Sequence, residues 1–272
     1  MEKNVQQIKP LPMLLVKVII PVYRPILSPM ERASILETIN VLHRYPIIIL
    51  HPEGMSMANI PGKGKVNYMP VSDTWLGVRN GIAGYNQMML SREFYQLFND
   101  TEYLLICHTD AWIFRDELED WCKKGYDCIA APWVKRPVYT FPIIKQYMKL
   151  LARYKAHKGI FCRQQLYGKI GNGGLSLRRT KAFIEACTSY AEEIKAYKGQ
   201  KKHYFNEDVF WATIPTEFNY PTEEEALRFS FDRHPDYCMK LNDRQLPFGC
   251  HSWTKPRMYR FWKKIINWQK LL

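Results

Sequence analysis

The strongest constraint on the fold is a series of short apolar runs that alternate with stretches of helical spacing. The runs have the length and composition of strands and lie at residues 14–22, 45–51, 65–71, 102–108 and 127–131. The helical stretches between them lie at residues 30–43, 78–98 and 117–124. Strands that are joined by helices lie parallel and are covered on both faces. This order predicts an α/β sandwich with a mainly parallel central sheet.

Capping and terminating residues indicate where the predicted helices begin and end. Residues 78–98 fit one long helix or a broken pair, with Ser91 as an internal cap. Asp116 is a candidate cap for the helix at 117–124, and Gly125 is placed to end it.

The second half of the chain is less regular. From 133 to 167 the alternation of apolar runs and helical spacing is lost, and Pro, Lys, Arg and aromatic residues predominate. This predicts an irregular insertion beside the functional site, with one helix near 143–154. Regular structure then returns: the later segments are a strand at 171–177, a helix at 180–197, a short helix near 206, and strands at 228–232 and 246–251.

Length and composition indicate one large domain. The chain has 272 residues, 47% of them hydrophobic, and we expect a single domain over residues 1–256 followed by a basic amphipathic helix over 257–272. The seven cysteines show no CxxC spacing, and their odd number argues against a disulfide framework. Free thiols in a reducing cytoplasm are the simplest account. No segment reads as a signal peptide or a membrane-spanning helix.

The charge balance points to anionic partners. The formal net charge is +13, from 39 Lys and Arg against 26 Asp and Glu. A phosphorylated substrate, an acidic membrane face and nucleic acid all fit such a balance. The sequence has no helix-turn-helix or RNP-like pattern, so we do not expect nucleic acid as the partner.

Asp110 is the first candidate functional residue. It follows the apolar strand at 102–108, and in α/β proteins ligands bind at the carboxyl ends of strands. A carboxylate there can hold a divalent cation, although an Asp in a turn or helix cap would look the same. His108 lies two residues earlier and shares a face with Asp110 if the strand continues. It either lines a nucleotide site or is a core histidine.

Three later motifs offer partners for Asp110. His251 could complete a manganese-type coordination, or it could be a structural histidine in an aromatic pocket. Asn172, Gly173 and Gly174 allow close approach of a ligand to the backbone, or form an ordinary turn. Glu207 and Asp208 open a helix, where an ionised carboxylate could act as a general base or simply cap the helix.

In this order the motifs resemble glycosyltransferases of the GT-A type, and most closely a bacterial domain-of-unknown-function family classed with them. The resemblance covers residues from the first strand to His251. It implies a single GT-A-like, Rossmann-type nucleotide-binding sandwich. It also implies a divalent metal, Mn or Mg, held by Asp110 and His251, and Asp208 of the Glu207-Asp208 pair as the base of an inverting member.

The resemblance further implies a donor and an acceptor side. Pro21, Val22, Tyr23 and Glu53 take the positions of nucleotide contacts, together with His108 and Asp110. His108 stands where the first Asp of an Asp-x-Asp motif would be. Asn172, Gly173 and Gly174 border the donor sugar and acceptor, and Trp133, at the start of the insertion, is a further candidate substrate contact.

We therefore predict a metal-dependent enzyme that moves a sugar from a nucleoside-diphosphate sugar, with UDP favoured, to a glycan or lipid-linked acceptor in cell-surface polysaccharide synthesis. A nucleic-acid-binding protein and a metal-dependent hydrolase are the alternatives. Residues 257–272 combine an apolar stripe with basic residues around the remaining surface, which suits an anionic lipid interface at the inner face of the membrane. This combination also suits a helix that packs its stripe on the domain.

Overall fold

The computed structural model describes residues 13–77, 79–135, 137–158, 160–161, 163–198 and 205–272. The strands are β1 (Leu14–Pro21), β2 (Ile47–Pro52), β3 (Asn67–Val71), β4 (Thr101–Cys107), β5 (Trp112–Ile113), β6 (Cys128–Ala130), β7 (Leu175–Arg179), β8 (Ser230–Phe231) and β9 (Gly249–Cys250). The α-helices are α1 (Pro29–Val41), α2 (Gly81–Met89), α3 (Arg92–Gln96), α4 (Leu118–Lys123), α5 (Pro142–His157), α6 (Thr180–Ser189), α7 (Ala191–Lys198), α8 (Glu207–Thr213), α9 (Glu223–Phe229), α10 (Pro235–Leu241) and α11 (Pro256–Trp262).

The central sheet has the strand order β3-β2-β1-β4-β7-β6. Strands β3, β2, β1 and β4 pair in parallel, and β7 lies antiparallel between β4 and β6. The predicted mainly parallel sheet is therefore confirmed. Its topology brings the carboxyl ends of β1 and β4, at Pro21 and Cys107, side by side.

Apolar side chains cover both faces of this sheet. Along β1, Val18 and Ile20 pack into one layer with α1, while Ile19 packs into the other layer with α2 and α3. This alternation explains why the strands read as continuous apolar runs: each successive side chain enters a different core. The central strands β1, β2 and β4 are mostly buried on both sides, so their carboxyl ends are where polar side chains and ligands can meet.

Local signals fix several helix ends. Ser28 and Glu31 form a capping box at the start of α1, and the Ser91 hydroxyl accepts from the Phe94 N–H to start α3. The break between α2 and α3 confirms the broken pair with its internal cap. Gly125 ends the α4 segment with a φ of +73°. The predicted cap at Asp116 is wrong, because its carboxylate instead accepts from Arg44 and Tyr45.

The insertion after β6 is more helical than predicted. Two 3-10 turns, Pro137–Thr140 and Arg163–Leu166, flank the 16-residue helix α5, which includes the predicted segment near 143–154. Three other predicted elements differ from the structure. Strand β7 begins only at Leu175, the helix expected over 180–197 breaks at Tyr190 into α6 and α7, and residues 223–229 form α9 ahead of β8. Residues 171–174 are thereby left as a loop.

The predicted single helix over 257–272 is also wrong. Helix α11 ends at Trp262, and a separate 3-10 turn, Trp268–Leu271, closes the described chain. Trp262 and Ile266 are 0% and 3% exposed and pack in one core with Trp253 and Phe231. The chain bends after Trp262 so that both side chains reach this core. Met258, Phe261 and Trp268 are partly buried against the same core, whereas Ile265 and Leu272 stay exposed, so the domain covers most of the apolar side of this segment.

The cysteines of the described chain agree with free thiols. Six of them are buried and unpaired: Cys107, Cys122, Cys128, Cys187, Cys238 and Cys250. Burial raises the pKa of Cys107 to about 12, so that thiol is protonated at neutral pH. Among the described helices, none combines the length and apolar character that crossing a bilayer requires.

Candidate functional site

A cleft of about 740 Å³ opens at the carboxyl ends of β1 and β4. It collects most of the residues that the sequence singled out, from motifs far apart in the chain: Pro21, Tyr23, His108, Asp110, Asn172, Gly173, Gly174, Glu207, Asp208 and His251. The motifs converge because β4, the loop before β7, the start of α8 and the end of β9 meet at this edge.

Asp110 and His251 face each other across the floor of the cleft. His251 Nε2 lies 3.1 Å from Asp110 Oδ1, and its Nδ1 lies 3.2 Å from Asp232 Oδ1. Burial acts against a proton on this ring, but the two carboxylates outweigh it and raise the pKa of His251 to about 10. Burial likewise raises the pKa of Asp110, yet the His251 ring overcomes this and holds it below its ordinary value. Asp110 is therefore ionised.

His108 completes a group of potential metal ligands. One ligand atom each from His108, Asp110 and His251 lies within 4.8 Å of the others. His108 Nε2 is 2.7 Å from the Tyr85 hydroxyl, so it can donate there and leave Nδ1 with a free lone pair. Burial lowers the pKa of His108 to about 3, and His251 adds to the effect. A neutral imidazole of this kind is the form that binds metals.

The loop before β7 needs glycine for steric reasons. A Cβ on Gly174 would lie 2.1 Å from His251 Nε2, and a Cβ on Gly173 would lie 2.1 Å from Glu207 Oε1. The Asn172 side chain accepts from the Gly174 N–H at 3.1 Å, and the His108 N–H donates to the Gly174 carbonyl at 2.8 Å. The hydrogen bonds hold the Asn-Gly-Gly segment in place, and the missing side chains leave space for His251 at the floor of the cleft.

Glu207 and Asp208 are neighbours in sequence with different partners. Arg178 Nη2 donates to both Glu207 carboxylate oxygens, at 3.0 and 3.2 Å, and the two side chains are 2% and 3% exposed. Arg178 also donates to the Tyr95 hydroxyl at 2.9 Å. Both oxygens of Glu207 are thereby committed to a buried ion pair. Glu207, a catalytic candidate together with Asp208 on sequence grounds, is thus held by Arg178 rather than left free toward the cleft.

Asp208 has no ion-pair partner in the described part of the chain. Its Oδ1 accepts from the Val209 N–H at 2.8 Å, and its side chain lines the cleft. Burial raises the pKa of Asp208, and the neighbouring Glu207 raises it further, to about 7. A carboxylate that is half protonated near neutral pH can both take up and release a proton.

Three predicted contacts lie outside the lining of the cleft. Val22 is 0% exposed in the core, because its side chain points away from the strand end and into the layer under α1. Glu53 is exposed beyond the cleft, and its N–H continues the sheet by donating to the Val71 carbonyl. Trp133 packs behind the loop, where a Cβ on Gly171 would meet its ring at 3.0 Å. The Val22 side chain is therefore buried away from the cleft, and Trp133 supports the loop from outside.

Sequence reasoning missed other residues of the cleft. Asp232 orients His251, and a signal for it was present in the sequence: a carboxylate directly after β8, much as Asp110 lies just beyond β4. Three cations, Arg24, Arg233 and Lys255, also line the cleft. Arg24 is held by Glu31 at 2.7 Å, and Lys255 Nζ donates to Ser252 Oγ at 2.8 Å. Single basic residues in a chain this rich in Lys and Arg give no local signal.

The fold is similar to that of solved glycosyltransferases. The bifunctional glycosyltransferase WbbM, in an apo structure, has a TM-score of 0.56 and 16% identity over 90% of this chain and 47% of its own, so this chain spans about half the length of WbbM. The galactosyltransferase LgtC, in complex with donor and acceptor sugar analogs, has a TM-score of 0.56 and 13% identity over 94% of this chain and 100% of its own. At such identities these likenesses establish the GT-A-type fold alone.

Sequence comparison adds the family. No curated protein matches this chain in sequence. The profile of a family described as protein of unknown function (DUF5672) matches residues 65–251, which contain Asp110, the Asn-Gly-Gly loop, Asp208 and His251. The match covers more than half of the 272 residues. The chain belongs to the DUF5672 family.

Proposed function

We propose that this protein is a metal-dependent glycosyltransferase that moves a sugar from a nucleoside-diphosphate sugar, with UDP as the favoured nucleotide, to a hydroxyl of a glycan or lipid-linked acceptor. The observation that carries the proposal is the convergence of His108, Asp110 and His251 within 4.8 Å at the strand ends of a GT-A-type fold. The bound donor and acceptor analogs of LgtC support the same use of the fold.

The donor set fits a divalent cation of the Mn or Mg class. One carboxylate and two imidazoles suit manganese, and the Asp232 carboxylate on His251 Nδ1 is the outer partner that metal-binding histidines usually have. A bound cation would take the place of the proton that His251 otherwise holds between Asp110 and Asp232. Its chemistry there would be to neutralise the charge that develops on a leaving diphosphate.

The cations of the cleft fit the donor. Arg24, Arg233 and Lys255 offer positive charge beside the metal group, and a diphosphate needs such compensation when it leaves water. Pro21 and Tyr23 lie at the end of β1, where the nucleotide of an α/β protein is expected. Tyr23 is 47% exposed, so its ring is free to contact a base or ribose.

The acceptor side would be Asp208 and the Asn-Gly-Gly loop. In this proposal Asp208 removes the proton from the attacking hydroxyl, which would make the enzyme inverting. Gly173 leaves open backbone next to Asp208, since a Cβ there would lie 3.5 Å from the Asp208 Cβ. Glu207, fixed by Arg178, keeps a second negative charge near Asp208 and so favours its protonation.

A cytoplasmic location and a role in cell-surface polysaccharide synthesis belong to the proposal as well. The buried free cysteines support a reducing compartment.

The first test is thermal unfolding with UDP and MnCl₂, separately and together. A ligand that binds only the folded chain raises its Tm. We expect a rise that needs both ligands, because the diphosphate binds through the cation. A Tm that UDP raises equally in the presence of a chelator would contradict the metal assignment. Screening nucleotide sugars for hydrolysis would then identify the donor.

A further inference from the structure

Helix α5, Pro142–His157, displays an apolar stripe to solvent. Its outward residues recur at spacings of four, three and four and are 60–86% exposed: Ile143, Tyr147, Leu150 and Tyr154. No residue of α5 is buried. Its opposite side, with Ile144, Met148 and Leu151, is half-buried against the neighbouring 3-10 turns. Exposed apolar side chains in one continuous row mark an interaction surface.

A basic ridge runs beside this stripe. Lys145, Lys149 and Arg153 are all exposed and recur every four residues, so they lie on one side of the helix. The wider segment is equally one-sided, because residues 128–184 contain twelve Lys and Arg and no Asp or Glu. Almost the whole net charge of +13 therefore originates in the part of the chain that carries α5.

We propose that α5 is a membrane-surface helix that docks this protein on anionic phospholipid. Apolar residues with tyrosines on one side and lysines beside them suit a helix that lies in the plane of a lipid interface. A helix of 16 residues is about 24 Å long and would lie flat on the surface. A second copy of the chain is a poorer occupant, since pairing this face with itself would bring two basic ridges together.

The stripe and the ridge lie outside the cleft, so docking through α5 requires neither the metal site nor the proposed transfer reaction. Helix α5 follows β6 in the insertion that leads back into the Asn-Gly-Gly loop, so the docked helix belongs to the segment that enters the cleft. The C-terminal segment, which the sequence also marks as basic and apolar, buries Trp262 and Ile266 in the core and leaves Ile265 and Leu272 as its exposed large apolar residues.

Co-sedimentation with vesicles tests the proposal on the full chain. Vesicles of equal parts phosphatidylcholine and phosphatidylglycerol are compared with vesicles of phosphatidylcholine alone. We expect binding to the anionic vesicles that weakens as salt is added. Lys145→Gln with Lys149→Gln should weaken the binding about twenty-five-fold at low salt, about fivefold for each charge. Ile143→Ser with Leu150→Ser should weaken it by at least about tenfold.

The C-terminal segment provides the matched control. Lys263→Gln with Lys264→Gln removes the same charge from another exposed basic site and should change vesicle binding by less than about twofold. All three pairs change exposed residues, so an unaltered Tm confirms that they fold. Failure of the wild type to bind anionic vesicles, or an equal loss in the control pair, would overturn the proposal. A dimer that the α5 variants dissociate, without vesicle binding, would assign α5 to self-association and overturn it as well.

Discussion

Asp110 and Asp208 line the same cleft, yet their surroundings shift their pKa values in opposite directions. His251 contacts Asp110 at 3.1 Å and keeps its pKa below the ordinary range. Asp208 has Glu207 beside it, and burial together with that charge raises its pKa to about 7. Burial raises the pKa of both carboxyl groups, and the neighbouring charge either overcomes that rise, as His251 does at Asp110, or adds to it, as Glu207 does at Asp208. Asp110 is a permanent anion suited to a cation, and Asp208 is suited to proton transfer.

The largest expected effect comes from removing the proposed proton acceptor. Asp208→Asn should lower kcat for sugar transfer by about 10²–10⁴-fold, the usual range for a general base. Binding of UDP with manganese should stay unchanged, because the base acts only when the acceptor attacks. Steady-state kinetics and calorimetry measure the two quantities. A variant with full activity would remove Asp208 from the chemistry.

A second experiment asks whether the Glu207 ion pair underlies the contrast. Arg178→Met would leave Glu207 buried without its cation and should lower the free energy of unfolding by about 3–5 kcal/mol. Arg179→Met is the matched control, since its side chain is 33% exposed and its loss should cost about 1 kcal/mol or less. Urea unfolding measures both. Equal losses in the two variants would show that the buried pair has no special weight.

The metal side of the comparison is tested at Asp110. Asp110→Asn keeps the shape but removes the charge, so metal-dependent affinity for UDP should fall by at least about 100-fold while the fold persists. Asp120→Asn, on the exposed face of α4, should bind as the wild type does. Titration calorimetry with manganese decides the matter, and undiminished binding by Asp110→Asn would mean that the cation is held elsewhere.

Replacing Asp232 should weaken manganese binding less than replacing Asp110 does. Its carboxylate contacts His251 Nδ1 and orients the ring without reaching the proposed cation. Asp232→Asn should therefore weaken manganese binding by about 10–100-fold. The exposed Asp236→Asn serves as its control. If Asp232→Asn bound manganese as tightly as the control, the orienting role would be lost.

The smallest effect concerns pH. Asp208 holds its proton more tightly in the folded chain, with a pKa of about 7 against 3.8 for the free side chain. Its contribution to the free energy of unfolding is therefore fully present below 3.8 and is lost as pH rises towards 7. The Asn side chain of Asp208→Asn never ionises. As pH rises from 5 to 8, the free energy of unfolding of this variant should therefore increase relative to that of the wild type by about 1–2 kcal/mol. This is well under the full value of the pKa shift, because Asp208 borders the cleft. Urea unfolding at both pH values in the presence of a chelator tests this, and a constant difference would contradict it.

Local patterns accounted for much of the fold. The apolar runs predicted β1, β2, β3, β4 and β6, and Ser91 and Gly125 marked boundaries that the structure confirms. The failures occur where a distant contact overrides a local preference. The Asp116 carboxylate accepts hydrogen bonds from Arg44 and Tyr45 and does not cap the helix that follows it. Residues 171–174 form a loop before β7, and the absence of a side chain at Gly174 leaves space for His251.

Charge and periodicity predicted an amphipathic segment at 257–272 without saying what covers it, and α5 carries the same pattern. The segment at 257–272 and helix α5 both show apolar residues at helical spacing beside lysines. Trp262 and Ile266 are buried on the domain, whereas Ile143 and Leu150 face solvent. A stripe in the sequence records only that a helix has an apolar side, because the partner that covers it is chosen by packing.

The sequence alone determined the sheet, the strand-end position of Asp110 and the set of motifs that meet there, since hydrophobic period and chain order act locally. Tertiary structure alone decided the surroundings of each residue within that set. It placed Arg178 on Glu207, left Asp208 without a cation in the described chain, set Asp232 behind His251 and buried Val22. Each of these outcomes depends on residues tens of positions apart, and electrostatic energies depend on distance and burial, which no local pattern records.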